Sequence, residues 1–312
     1  MSVATRFASR SPAAASPAPA RDQSRARFPD RTGFVERDGL RTFYEVYGEG
    51  NPVILFVPTW SIVHSRIWKF QIPWFAARHR VVTFDALGNG RSDRPTDPSA
   101  YDEHALGDDI VQVMDATSTN RAVLVSLSLG AQRSLVAATD HADRVAGLVF
   151  IGPAVALGAR LPGRDQPFDE RLDTDEGWAR YNAHAWRRDY DGFLRFFFGE
   201  AFSEAHSTKQ VDDSVAWALE TDPETLIATN LGPGLSREEV VRRCRRVQCP
   251  AVVIQGSDDG ITGPSRGFEL AAAIPGARLE VIEGGGHIQN ARDPIWTNLL
   301  IRDFVRRLEH PR

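Results

Sequence analysis

The sequence predicts an α/β protein: a mostly parallel, eight-stranded sheet flanked by helices, with an inserted helical cap. Three observations carry this. Apolar runs such as Val53 to Val57, Ala122 to Val125 and Ala251 to Ile254 show no apolar–polar alternation, so these strands are covered on both faces, as parallel strands between helix layers are. Helix-like segments near 66–78, 102–117 and 129–140 separate the runs, which is the strand–helix alternation of the α/β class. From about 156 to 235 the alternation stops, and aromatic residues crowd a stretch with no strand-like run.

Residues 1–28 are mostly Ala, Ser, Pro and Arg, with Asp22 the one acid before Asp30 and no apolar core of the kind a secretory signal needs. A disordered tail is expected there, an organellar transit segment being the minor alternative. Residues 29–155 form the first part of the core. Phe34 to Arg37 and Arg41 to Tyr47 flank Asp38-Gly39, a dipeptide that supplies positive φ to a tight hairpin turn. The parallel strands follow at Val53 to Val57, Val81 to Phe84, Ala122 to Val125 and Leu148 to Ile151. Residues 156–235 form the helical cap, with Trp178, Tyr181, Trp186, Phe193, Phe197 and Trp217 among its aromatics. Most of these are expected to pack as the cap's own core, and a few to face the site. Residues 236–312 complete the core, with strands at Ala251 to Ile254 and Arg278 to Ile282 and a last helix opened by Asp293-Pro294, an N-cap and first-turn pair.

The length of 312 residues suits one large domain carrying an insertion. Hydrophobic residues at 42% and charged residues at 25% argue against a chain dominated by disorder. The formal charge of −4 leaves Arg242-Arg243-Cys244-Arg245-Arg246 as the one dense basic run; it reads as a solvated helix end, so no nucleic-acid partner is expected. Cys244 and Cys249 fit neither a C-x-x-C redox pair nor a zinc site, which makes a reducing, cytoplasmic location the expectation. The most apolar stretch, Val145 to Ala159, is broken by Gly147, Gly152, Pro153 and Gly158, so no membrane span is expected. The expected partner is a small-molecule substrate, with no cofactor and no metal; a homodimer is compatible with the sequence.

The chemistry centres on Ser128, which ends the run Ala122-Val-Leu-Val-Ser-Leu-Ser128 and precedes Leu129-Gly130. A strand that turns through small residues into a helix can strain a serine at its apex so that Oγ clears the sheet. The pattern is S-x-S-x-G, with Ser126 where the usual motif has glycine. A serine hydroxyl needs a base within hydrogen-bond reach, itself oriented by a carboxylate. Two later strand ends offer these groups: Gly256-Ser257-Asp258-Asp259 follows Ala251 to Gln255, and Glu283-Gly284-Gly285-Gly286-His287 places a histidine on a flexible glycine turn.

With serine, acid and histidine in that order, the chain resembles α/β-hydrolase-fold enzymes from about residue 34 to 310. Asp85-Ala-Leu-Gly88-Asn-Gly90-Arg-Ser92 is similar to that family's D-x-x-G-x-G-x-S loop. The resemblance implies that Ser128 is the nucleophile, His287 the general base and acid, and Asp259, at the last place of G-x-x-D, the orienting acid ahead of Asp258. It also implies an oxyanion hole formed by the N–H of Leu129 and a second donor after the third strand. Relatives have His-Gly there, whereas this chain has Pro58-Thr59-Trp60-Ser61; Trp60 is the expected donor and Ser61 the next. The implied activity is cleavage of a carboxylic ester or thioester, partly apolar and of small to medium size, through an acyl-enzyme. The alternatives are hydrolysis of a carbon–carbon bond or cofactor-free lyase or cyclase chemistry on the same scaffold, and a non-catalytic ligand-binding module. A serine nucleophile counts against dehalogenase and epoxide-hydrolase chemistry, for which the family uses aspartate.

Overall fold

The structure, a computed structural model, describes residues 27–310. The expected disordered tail therefore lies outside the described residues apart from Arg27 and Phe28. The sheet comprises β1 (Arg31–Arg37), β2 (Leu40–Tyr47), β3 (Val53–Val57), β4 (Val81–Phe84), β5 (Ala122–Leu127), β6 (Val145–Ile151), β7 (Ala251–Gly256) and β8 (Arg278–Ile282). Its strand order is β1-β2-β4-β3-β5-β6-β7-β8. Strand β2 is antiparallel to both β1 and β4, and every other pairing is parallel. The β1–β2 hairpin turns at Asp38 (φ 53°) and Gly39 (φ 79°), with Arg37 paired to Leu40.

Strands β3 to β7 are buried on both faces, which explains the unbroken apolar runs, whereas the edge strands β1 and β8 are partly exposed. Ile54 and Phe56 of β3 and Val123, Val125 and Leu127 of β5 belong to one apolar cluster. The residues between them, Leu55, Val57, Ala122 and Leu124, belong to another. The second cluster is closed by α2 (Glu103–Ala116), α3 (Gly130–Asp140), α8 (Arg237–Arg246) and α9 (Pro264–Ala273). The first is closed by α1 (Gln71–Phe75), α11 (Pro294–Glu309) and part of the helical segment that follows β6. A four-residue helix, α10 (Gln289–Arg292), leads into α11.

Local chemistry accounts for the helix ends. Asp102 accepts from the N–H groups of His104 and Ala105 at the start of α2. Asp293 accepts from Trp296 N–H and is followed by Pro294 at the start of α11, so two donors that the helix cannot satisfy are capped or absent. The helix expected near 66–78 is shorter than its apolar pattern suggests: a 3-10 turn, Ser65–Trp68, precedes α1. Trp68 and Phe75 both pack on Phe56, at centroid distances of 4.7 and 6.1 Å, and the break between turn and helix lets both rings reach it.

Between β6 and β7 lie α4 (Ala183–Arg188), α5 (Tyr190–Ala201), α6 (Thr208–Ala218) and α7 (Pro223–Leu231), before α8. Their aromatics do not make a separate core. Trp186, Phe193, Phe197 and Trp217 belong to the same cluster as Ile54 and Phe56 of the sheet. The basic run in α8 is also not a purely solvated end: Arg243 is buried, pairing with Glu239 and with Asp140 of α3. Helix α8 packs on α3, and two of the five consecutive residues, Arg243 and Cys244, are buried rather than exposed. Among the described residues, no helix is long and apolar enough to cross a membrane.

Candidate active site

The residues singled out in the sequence follow the C-terminal ends of β3, β5, β7 and β8, where the crevices of an open parallel sheet lie. Ser128 has φ 53°, a left-handed conformation that costs a non-glycine residue about 1–3 kcal/mol. Backbone bonds hold it there. Its N–H donates to Ile151 O, and its own carbonyl accepts from both Ala131 N and Ala154 N, each at 3.0 Å. Gly130 is required by close approach, since a Cβ there would lie 2.6 Å from Pro58 O. Ser126 is tolerated two residues before Ser128 because its hydroxyl donates to Val149 O of β6 at 3.1 Å.

The structure brings Ser128, His287 and Asp259 into one hydrogen-bonded chain. Ser128 Oγ lies 2.9 Å from His287 Nε2, and His287 Nδ1 lies 2.8 Å from Asp259 Oδ2. All three are buried. Asp258 is elsewhere: its carboxylate is exposed and accepts from Ser257 Oγ, while its N–H donates to Gly285 O.

Asp259 is more heavily solvated by protein than the sequence reveals. Oδ1 accepts from Ile261 N and Thr262 N, both at 2.9 Å. Oδ2 accepts from Thr262 Oγ1 and Gln255 Nε2 as well as facing His287. Burial on its own would raise this carboxyl; the charge of His287 and the hydrogen bonds from His287, Thr262 and Ile261 outweigh it and hold the group well below the usual carboxylate range. Asp259 is therefore anionic at neutral pH.

The histidine turn is not the flexible loop expected from its glycines. His287 N–H donates to Ala201 O at the end of α5, and Glu204 Oε1 accepts from Gly286 N and Gln289 Nε2, each at 2.7 Å. Gly256, at the end of β7, packs so closely on the carbonyls of Gly285 and Gly286 that a Cβ would overlap them. Close packing is what Gly285 and Gly286 provide, while Gly284, at φ 70° with open space where a Cβ would stand, provides the left-handed backbone of the turn.

Leu129 and Trp60 line a cavity of about 350 Å³ together with Ser128. Ser61 does not line that cavity; its hydroxyl donates to Leu87 O and its carbonyl accepts from Asn89 Nδ2. The Trp60 indole donates to Thr229 Oγ1 of α7 at 2.7 Å and lies 5.5 to 5.9 Å from the rings of Phe197, Trp186 and Tyr181. It thus both lines the cavity and ties the loop after β3 to the helices above. The loop after β4 braces the same region: Asp85 accepts from Ser65 N and Arg91 N, and Ser92 Oγ donates to Asp85 O.

One pair was invisible in the sequence. Arg133 of α3 and Glu103 of α2 form a buried two-pronged ion pair, with Nε and Nη2 3.1 and 3.2 Å from the carboxylate oxygens. Arg133 also donates to Thr59 O at 2.9 Å. A charged residue within an otherwise small and apolar helix face was the available signal, but nothing local identified its partners. Among the described residues, no group of three or more His, Cys, Asp or Glu side chains is placed to hold a metal ion.

A strained serine between strand and helix, bonded to a histidine and through it to a buried carboxylate above a mostly parallel sheet, is the arrangement of a hydrolase. The chain belongs to the alpha/beta hydrolase fold family, whose model matches residues 52–294. Among its relatives is a protein of Variovorax paradoxus (strain S110) named as a carbamate hydrolase, RutD, 27% identical over 274 residues and covering 86% of this chain and 97% of the relative. Among solved structures, Est816, described as an N-acyl homoserine lactone degrading enzyme, is 28% identical with a TM-score of 0.73, covering 87% of this chain and 100% of that one. The enol-lactonase from Burkholderia xenovorans LB400, 23% identical, shares the fold with a TM-score of 0.73 over 88% of this chain and 100% of that one.

Proposed function

We propose that the protein is a serine hydrolase that cleaves a carboxylic ester, open-chain or lactone, through an acyl-enzyme. The observation that supports this best is the continuous path from Ser128 Oγ to His287 Nε2 at 2.9 Å and from His287 Nδ1 to Asp259 at 2.8 Å. Ser128 Oγ bonds to the ester carbonyl carbon as His287 Nε2 takes the hydroxyl proton. Asp259 fixes the imidazole with Nε2 free to accept and stabilises the imidazolium that results. The N–H groups of Leu129 and Trp60 receive the oxyanion; neither donates elsewhere among the described residues. Collapse of the tetrahedral adduct breaks the ester C–O bond, and His287 returns its proton to the departing alkoxide. Water then attacks the acyl carbon, giving its proton to His287, and Ser128 leaves as the hydroxyl. The cavity of about 350 Å³ admits a small molecule, and we treat residues 156–235 as its cap.

The relatives named for carbamate hydrolysis support a second reading, attack by the same serine on a carbamate carbonyl. The two readings are separated by turnover of matched p-nitrophenyl ester and N-alkyl carbamate substrates. Labelling of Ser128 by a fluorophosphonate, located by mass spectrometry and absent from Ser128→Ala, is the expected result. A folded protein that neither labels nor turns over any ester, thioester or carbamate overturns the serine-hydrolase reading in favour of a binding module. Cleavage of a ketone-flanked carbon–carbon bond without ester turnover reassigns the reaction.

A further inference from the structure

The cavity beside Ser128 is lined by Arg160, Arg164 and Arg266, in a chain whose formal charge is −4. The one acidic residue in the lining, Glu103, is already paired with Arg133. The three arginines lack a comparable partner. Arg160, at the exposed rim, has only exposed Asp165 at 3.7 Å. Arg164 lies 4.1 Å over the Trp178 ring and 5.1 Å over Tyr181, and donates to the Ile261 carbonyl, which cannot neutralise it. The Arg266 guanidinium makes no hydrogen bond or ion pair among the described residues, and its Nε is buried without a partner.

Charged side chains are brought together without counter-ions only at a cost, because each loses water and repels the other. Burial, and for Arg266 the charge of Arg164, depress both inner guanidinium groups below the ordinary arginine value, yet arginine stays protonated throughout the physiological range. Asp259 is near enough to stabilise both charges, but its oxygens are committed to His287, Gln255, Ile261 and Thr262. What would complete the site is an anion supplied from the cavity. A planar, two-oxygen group suits the fork of an arginine best.

Resting on the hydrolase reading above, we propose that the substrate carries a carboxylate apart from the bond that is cleaved, and that Arg266 and Arg164 hold it while Arg160 guides it in at the rim. This restricts the substrate class to half-esters, lactones or carbamates of acids. It also accounts for a positive cavity in an acidic protein, where local potential concentrates an anion irrespective of net charge.

The test compares the p-nitrophenyl monoester of glutaric acid with p-nitrophenyl pentanoate, which has the same chain length and no charge. The charged ester is expected to have the higher kcat/KM by about tenfold or more at low salt, the advantage shrinking as ionic strength rises. Arg266→Gln and Arg164→Gln should lower the charged-to-neutral ratio by about tenfold, with Arg266→Lys retaining part of it. In a separate arm, calorimetry should detect glutarate binding to Ser128→Ala and its loss when Arg266→Gln is added. A ratio of one or below together with no glutarate binding overturns the proposal, as does a pair of folded variants that lower both esters equally. Glutarate binding without fluorophosphonate labelling or ester turnover keeps the carboxylate site and removes the hydrolase reading. Should Arg266→Gln fail to fold, the Arg266→Lys ratio and the salt dependence of the unmodified protein decide.

Discussion

Arg133 donates to the carbonyl oxygen of Thr59 at 2.9 Å while its other nitrogens grip Glu103. The helix that follows the strained serine thus also holds the loop expected to supply the second oxyanion donor. The loop after β3 carries Pro58-Thr59 with no glycine, and the guanidinium holds that loop at the Thr59 carbonyl. Position is maintained by a buried charge in place of backbone freedom.

Arg133→Met should therefore lower both stability and rate. It leaves Glu103, whose carboxyl burial already pushes upward, without its partner, at a cost of about 3–5 kcal/mol. Adding Glu103→Gln should recover most of that stability, while kcat stays about tenfold or more below the unmodified protein because Thr59 is still unheld. Denaturant midpoints and ester kinetics on the single and double variants measure the two effects separately. Recovery of kcat along with stability would show that Arg133 does not position the loop.

Asp259→Asn should reduce kcat by about 10⁴-fold, since an amide stabilises the wrong imidazole tautomer. Asp258→Asn, one residue away, should change kcat by less than about twofold because its side chain reaches only Ser257. Steady-state rates on a p-nitrophenyl ester, with circular dichroism to establish folding, decide between the neighbours.

The depressed Asp259 carboxyl also has a consequence for acid stability. Its folded-state value lies below the ordinary 3.8, so the unfolded chain binds the proton more readily and the contribution is present above that value. It is lost as pH falls through the folded-state value. The stability difference between the unmodified protein and Asp259→Asn should therefore widen from about pH 2 to about pH 5 and then level off. Urea titrations across that range test the sign; a gap that narrows with rising pH contradicts it.

Gly130→Ala and Trp60→Phe separate the loop's backbone from its side chain. The alanine Cβ would press on Pro58 O, and relief of that contact moves the loop, costing about 1–3 kcal/mol and lowering kcat. Trp60→Phe keeps the backbone N–H and loses the indole bond to Thr229 with part of the packing on Phe197, Trp186 and Tyr181, so KM should change more than kcat. Equal effects on kcat from both would place the indole in the reaction itself.

The features that could be read from the sequence are those encoded within a few residues. Both-face burial of β3 and β5 shows directly in Val53 to Val57 and Ala122 to Val125, and the elbow around Ser128 is a local backbone demand. The choice of Asp259 over Asp258 came from the motif. Its physical basis, the bond between Asp259 Oδ2 and His287 Nδ1, joins separate strand ends. Long-range relationships left no such trace. Arg133 and Thr59 are 74 positions apart, Trp60 and Thr229 169 apart, and neither sequence neighbourhood hints at the other. The arginines of the cavity were obscure for a related reason: a surface arginine and one facing a cavity have the same local pattern.

The bond from His287 N–H to Ala201 O, with the paired grip of Glu204 on Gly286 and Gln289, has a bearing on engineering. Exchanging the helices between β6 and β7 for those of another protein would be the obvious route to a new specificity. Here such a graft would also remove the anchor of the imidazole, because the histidine hangs from the end of α5. Any exchange has to retain the stretch from Ala201 to Glu204, so selectivity in this protein is better recast through side chains, Arg164 and Tyr181 among them, than by replacing whole segments.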